Sequence, residues 1–137
     1  VNMKQRFKSE LIKQYIDILP SKSQILDFNP GNQGIYNELN FERVKYLALE
    51  QDHSIRSLLL KKKIPVLNWK IPKIPLPDKS VDLVLCLAFI EYMLTYIEAL
   101  KLLAEVERVL NVNGKVLIVF PNYLSVKDFF FEDYKHG

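Results

Sequence analysis

QILDFNPGNQG, residues 24–34, is the stretch from which the rest of the chain can be read. Ile25 and Leu26 read as the end of a buried strand, and Asp27 closes it. Asn29 to Gly34 then form a tight turn that leads into a short helix near Gly34–Asn40. A strand that stops in a glycine-bearing turn and feeds a helix offers backbone N–H groups at the helix start, and glycine lets a ligand approach the chain closely. A second strand, Val44–Leu49, ends at Glu50. Its carboxylate falls roughly twenty residues after the turn, the spacing at which a βαβ unit sets an acid against a ribose. In outline this is a nucleoside-binding half-site. The glycine pattern is altered, because Asn29 stands where a G-x-G motif begins and the third glycine is displaced to Gly34. Asn reaches the left-handed region more readily than most residues, which suits it to that position. The turn by itself fits an ordinary strand–helix connection equally well.

Outward from this stretch, alternation sets the architecture. Residues 3–19 read as an amphipathic helix with Phe7, Leu11, Ile12, Tyr15, Ile16 and Leu19 at helical spacing, ended by Pro20. After Glu50, Asp52 or Ser54 caps a helix carrying Ile55, Leu58, Leu59 and Leu60. Ile64–Leu67 is a short strand whose Pro65 assigns it to a sheet edge or a strand start. Residues 68–80 hold three of the seven prolines and read as an extended loop. Val81–Leu87 is a near-continuous apolar run, the mark of a strand buried on both faces. A long helix is expected from Phe89 to about Leu110, then a turn at Asn111–Gly114, a fifth strand Lys115–Phe120, and the start of another helix within Leu124–Phe131. Strands alternating with helices through short linkers predict an α/β fold: a mainly parallel sheet of about five strands, a three-layer sandwich in one domain spanning 1–137.

Composition narrows the classes. At 49% hydrophobic and 26% charged residues the chain has a globular profile rather than a disordered one. No apolar run reaches the length of a membrane span, and VNMKQRFKSELIKQ is too charged for a signal peptide, so the expected location is the cytoplasm. The single cysteine, Cys86, sits in an apolar run and reads as core. Two isolated histidines and one cysteine make no metal site; His53 reads as a helix N-terminus residue. Lys61, Lys62 and Lys63, with Lys70, Lys73 and Lys79, read as a helix C-terminus and a solvated loop. They lack the aromatic interleaving of an RNA-binding surface.

From Val81 onward the chain resembles a known family. PLPDKSVDLVLCLAFIEYM and LLAEVERVLNVNGKVLIVFPN are similar to the passages into the fourth and fifth strands of class I S-adenosylmethionine-dependent methyltransferases, here Leu76–Val84 and Glu105–Lys115. With Asp27, Gly31 and Glu50 upstream, the resemblance covers nearly the whole chain. The rival is a nicotinamide-binding fold, since Asn29-x-Gly31-x-x-Gly34 is one substitution from G-x-G-x-x-G. Arg108-Val109-Leu110 and Asn113-Gly114-Lys115 favour the methyltransferases. The resemblance implies a Rossmann-like sheet in the order 3-2-1-4-5 and S-adenosylmethionine as cofactor. It implies that the backbone from Asn29 to Asn32, with Pro30 and Gly31 between them, passes under the methionine part and that Asp27 sits near its amino group. Glu50 takes the ribose hydroxyls, Gln51 lies beside the adenine, Asn68 and Trp69 lie at its edge and face, and Leu87 and Ala88 line the sulfonium side. Asn68 stands where many relatives have an acid.

For a general base, Glu91, Tyr92, Tyr123 and His136 are the candidates near the reaction face, needed only if the acceptor must lose a proton. No N-P-P-Y follows the fourth strand, which sets the chain apart from amino-methylating DNA and glutamine enzymes. PNYLSVKDFFFEDYKHG looks like relatives that methylate small molecules, lipids or sugars. The family's usual C-terminal strand hairpin is lacking, so the fifth strand would be an open apolar edge. The expectation is that residues 124–135 or a second copy in a homodimer cover it, or that the chain is a piece of a longer protein. Three functions compete: a methyltransferase acting on a small-molecule acceptor, a non-catalytic relative kept for binding or assembly, and an RNA-modifying subunit using the Lys61–Lys79 region.

Overall fold

The computed structural model describes residues 3–87, 95–119 and 129–133. Its centre is a six-stranded sheet: β1 (Gln24–Phe28), β2 (Lys45–Leu49), β3 (Val66–Leu67), β4 (Val81–Cys86), β5 (Leu110–Val119) and β6 (Phe129–Asp133). Their spatial order is β3-β2-β1-β4-β5-β6, with β1 to β5 parallel and β6 antiparallel to β5. The helices are α1 (Met3–Asp17), α2 (His53–Lys61) and α3 (Tyr96–Val109). The expected order 3-2-1-4-5 is present, with one further strand outside it.

Strand side chains alternate between the two faces, and the core divides accordingly. Ile25, Leu83 and Leu85 join Ile12 and Ile16 of α1 and Leu59 of α2 on one face. Leu26, Phe28, Val84 and Cys86 join Leu102, Val106 and Val109 of α3 on the other. A helix layer thus covers each face of strands that are apolar on both sides, which is why β4 reads as a continuous hydrophobic run. Cys86 is buried, and burial pushes its thiol pKa up.

Four segments differ from the sequence reading. Between β1 and β2 there is no α-helix, only two 3-10 turns, Gly31–Gln33 and Ile35–Glu38, each followed by an extended residue, Gly34 and Leu39. The segment is short, rich in Asn and Gly, and supplies no side-chain cap at either turn, so a helical nucleus has little to favour it. Helix α3 begins at Tyr96, and the Phe89–Leu94 part of the expected helix lies outside the described residues. Thr95 is extended and forms a capping box with Glu98, which ends any helix arriving from before it. The Asn111–Gly114 turn lies inside β5: Val81 pairs with Leu110 and Leu83 with Lys115, so the extra residues bulge out, with Asn113 at φ 68. A Cβ on Gly114 would lie 2.8 Å from the Asn111 carbonyl oxygen, so glycine is required there. Finally, residues 129–131 are strand, not helix. Segment β6 takes the edge of β5, the intrachain alternative anticipated for it.

The proline loop 68–80 is fastened by Arg108 of α3. Its guanidinium donates to the carbonyls of Ile74 and Leu76, both at 2.9 Å, and to Asp78 and Glu105. Glu105 in turn accepts the Ile74 N–H. This is the structural role of the Glu105–Leu110 motif. Arg108→Met is expected to cost about 2 kcal/mol by leaving loop carbonyls unpaired. Denaturant unfolding, with limited proteolysis at residues 68–80, measures it. A change within about 0.5 kcal/mol would mean that the loop holds without the clamp.

Candidate functional site

Strand β1 lies between β2 and β4, so the chain's connections run in opposite directions from it. Ligands in open α/β sheets bind at the carboxyl ends of the strands at such a point. Asp27, Asn29 to Gly31, Glu50, Gln51 and Leu87 all stand at these ends.

Asp27 is paired in register with Ala48. Tyr46 therefore points to the same face one step back on β2, and its hydroxyl donates to Asp27 Oδ2 at 2.7 Å. The other oxygen, Oδ1, is buried and has no hydrogen-bond partner among the described residues. Burial pushes the carboxyl pKa up to about 7; the Tyr46 hydrogen bond opposes this, Glu50 adds to it and Lys8 lowers it. Burial and the neighbouring Asp27 also push the Tyr46 phenol up, so it stays a donor.

The turn after β1 is held by side chains rather than by a helix. Asn29 takes φ 46, the left-handed conformation expected of it, and its N–H donates to Leu49 O at 2.7 Å. Its side-chain oxygen accepts from the Gln51 backbone N–H and from Trp69 Nε1, both at 3.3 Å. Gly31 has φ 71, and a Cβ there would meet nothing within 4 Å, so its constraint is backbone conformation and the space above it is open. The Gly31 carbonyl accepts from Tyr36 at 2.9 Å. Glu50 is buried. Its Oε1 accepts the Gly31 N–H and its Oε2 the Asp52 N–H, each at 3.2 Å. Asp52 caps α2 through Ile55 N–H, and His53 is the first residue of that helix.

The remaining expected residues fall in different settings. Pro30 precedes the first 3-10 turn. Trp69 is only 5% exposed and packs on Phe28 at 4.9 Å between centroids, so it forms a wall beneath the turn. Asn68 is exposed; its oxygen accepts from Arg56 and from the Trp69 N–H. Leu87 follows β4, half-buried, and its carbonyl accepts from Lys8 at 3.3 Å. Ala88, Glu91, Tyr92, Tyr123 and His136 lie outside the described residues. Among the described residues no group of His, Cys, Asp and Glu is arranged to hold a metal, and no helix is long and apolar enough to cross a membrane.

Sequence reading passed over four residues of the site. Tyr46 was signalled by its strand parity with Ala48. Lys8 was signalled by its spacing from Ile12 and Ile16 on α1. Tyr36 and Arg56, which donates to the carbonyls of Glu50 and Gln51 and to Asn68 Oδ1, carried no local signal, because their partners are brought close only by the fold.

A family model for the methyltransferase domain matches residues 26–118. The chain belongs to the methyltransferase domain family. The class I S-adenosylmethionine-dependent assignment and its cofactor, S-adenosylmethionine, stand on this match. A relative from Methanocaldococcus jannaschii, the uncharacterized protein MJ0638, is 30% identical over 142 residues, covering 98% of this chain and 60% of its own length. The chain thus spans about 60% of the length of that curated relative. A SAM-dependent methyltransferase from Archaeoglobus fulgidus superposes with a TM-score of 0.72 at 19% identity, over 88% of this chain and 54% of that one. Phosphoethanolamine N-methyltransferase 1 of Haemonchus contortus, crystallised with phosphoethanolamine and S-adenosylhomocysteine, gives 0.62 at 19% identity, over 77% and 24%. At these identities the two structures attest the fold.

The described residues fit the cofactor. A buried carboxylate oxygen without a partner among the described residues, Asp27 Oδ1, has the chemistry to accept from a cationic amino group. Glu50, at the end of β2, has carboxylate lone pairs beyond those that take the Gly31 and Asp52 N–H groups, as a diol would require, and the open space over Gly31 admits close approach.

Proposed function

We propose that this chain holds S-adenosylmethionine at the ends of β1, β2 and β4 and directs methyl transfer to a small-molecule, lipid or sugar acceptor. The observation that carries the reading is the buried Asp27 Oδ1, without a hydrogen-bond partner among the described residues, with Glu50 close enough to act on its charge. The bound sulfonium supplies an electrophilic methyl group. Asp27 orients the amino acid part by accepting from its ammonium. Glu50 accepts from the two ribose hydroxyls while its bonds to the Gly31 and Asp52 N–H groups fix its rotamer. Gln51 and Asn68 flank the adenine, and Trp69 supports the turn through Asn29. The half-buried Leu87 excludes water at the sulfonium side, and orientation with water exclusion supplies most of the rate. Glu91, Tyr123 or His136 serves as base where the acceptor must lose a proton.

Calorimetric titration tests this. S-adenosylmethionine and S-adenosylhomocysteine are expected to bind and NAD is not. A well-folded chain that binds neither sulfur ligand would overturn the proposal and leave a structural or assembly role.

A further inference from the structure

The opposite end of the sheet carries a second recess. It lies at the amino ends of β2 and β3, roughly 16 Å from Glu50 along β2 at about 3.3 Å per residue. Its volume is about 440 Å³, and Phe41, Lys45, Tyr46, Leu47, Lys63 and Pro65 help to line it. Among the described residues no acid does so.

The edge of β2 is left unfinished there. Even-numbered residues of β2 turn their backbone groups toward β3: the Ala48 N–H donates to Pro65 O and the Glu50 N–H to Leu67 O, both at 3.0 Å. Tyr46 therefore presents its own N–H and carbonyl to the same edge. Strand β3 starts opposite Ala48 and does not extend to it. Two residues explain why. In this register the donor for the Tyr46 carbonyl would be residue 65, and Pro65 has no N–H. The acceptor for the Tyr46 N–H would be the Lys63 carbonyl, and Lys63 takes φ 61, so the chain turns there. Among the described residues no hydrogen bond reaches either backbone group of Tyr46, although the residue is only 4% exposed. Buried backbone donors and acceptors are paired as a rule, so this pair asks for a partner from outside the chain.

A donor beside an acceptor on one edge is complementary to a planar heterocycle bearing an acceptor beside a donor, as nucleobases do. Phe41 offers a face for stacking. It is 45% exposed, and its ring rests on Tyr46 at 6.2 Å between centroids. Lys45 and Lys63 are both exposed and bring positive charge to the same recess. Along the chain the lysines have no aromatic among them; the fold brings Phe41 to Lys63.

We propose that this recess binds a nucleotide, with the base edge on the Tyr46 backbone, the base face on Phe41 and the phosphate between Lys45 and Lys63. The site is distinct from the cofactor crevice and does not rest on the cofactor reading.

Calorimetric titration of the full chain tests this, with uridine 5′-monophosphate as probe and excess S-adenosylhomocysteine to block the cofactor crevice. Uridine and ribose 5-phosphate carry the two halves separately, and each is expected to bind at least about tenfold more weakly than the whole. Phe41→Ala is expected to weaken the monophosphate about tenfold, the size of one lost stack, and to leave ribose 5-phosphate within about twofold. Lys45→Gln combined with Lys63→Gln is expected to weaken the monophosphate by at least about tenfold and to leave uridine within about twofold. Pro65→Ala restores a donor opposite the Tyr46 carbonyl, so it is expected to weaken uridine and its monophosphate alike, an effect that a merely basic surface would not show. Thermal unfolding shows that each variant is folded. If ribose 5-phosphate binds as tightly as the monophosphate, or Phe41→Ala changes nothing, the recess is an unspecific basic surface and the proposal fails. If hexauridylate binds and the monophosphate does not, the surface serves extended RNA and the one-nucleotide site fails. If the folded wild-type chain binds none of these probes, the proposal falls, while the cofactor reading is decided separately by S-adenosylhomocysteine alone.

Discussion

Glu50→Ala is expected to lose at least about a hundredfold in affinity for S-adenosylhomocysteine, while Glu50→Gln loses about tenfold. The argument is a count of lone pairs. An ionised carboxylate offers about four acceptor sites, two on each oxygen. In the structure one site on Oε1 takes the Gly31 N–H and one on Oε2 takes the Asp52 N–H. One site remains on each oxygen, matching the two hydroxyls of a ribose. Glutamine keeps one oxygen and loses the charge, so it serves one hydroxyl at most. Alanine serves neither and also frees two backbone donors, which loosens the turn. Titration of the three proteins, each shown to be folded by circular dichroism, measures the series. Equal affinities across it would remove Glu50 from the ribose site.

Asp27 carries the second large effect, read in stability. Its ordinary value of 3.8 is raised to about 7 in the folded chain, chiefly by burial. Below about pH 4 the carboxyl is protonated in both folded and unfolded chains, and its contribution to stability is fully present. As pH rises toward 7 the unfolded chain releases this proton and the folded chain retains it, so stability falls. Above about pH 7 the loss is complete, of the order of 4 kcal/mol at 1.36 kcal/mol per pH unit. Asp27→Asn cannot titrate. The wild-type minus variant difference in unfolding free energy is expected to shift by that amount between pH 4 and pH 8, in the variant's favour at high pH. Any constant offset from burying an amide drops out of the comparison. Parallel stability curves would mean that Asp27 is ionised throughout. The same linkage acts on binding. An ammonium beside Asp27 favours its charged form, so affinity for S-adenosylhomocysteine rises with pH up to about 7 and the Asn variant shows no such rise.

The sequence made the sheet legible because its signals are local. A two-faced apolar run marked β4, and a proline marked β3 as an edge. The first connection was misread because the strand–turn pattern normally precedes a helix, whereas Gly34 and Leu39 break this segment into single turns. The start of α3 was legible in principle: Thr95-Tyr96-Ile97-Glu98 is a capping-box pattern, and apolar periodicity running in from Phe89 obscured it. The site was half legible. Glu50 follows from its spacing after the turn, and Asp27, Asn29 and Gly31 from the family resemblance. Lys8, Tyr36, Tyr46 and Arg56 enter through tertiary contact, and no spacing along the chain relates Lys8 to Leu87.

The position of β1 in the sheet also governs when the site comes into being. Leu26 pairs with Val84 and Asp27 with Leu85, partners that the chain reaches only after β2, α2, β3 and the proline loop have been laid down. Such pairings give a high contact order, and loop-closure entropy must be met before they contribute. The seam between β1 and β4 is therefore expected to close late. Leu87, and the Lys8 contact to it, sit at its upper end. A partly folded chain has the β1–β2 half with Glu50 and the turn, but not the completed crevice. A ligand that needs both halves recognises only the fully closed molecule, and by mass action it slows the escape from that state. Cofactor supply during synthesis would then set how much of the chain reaches and keeps its native form.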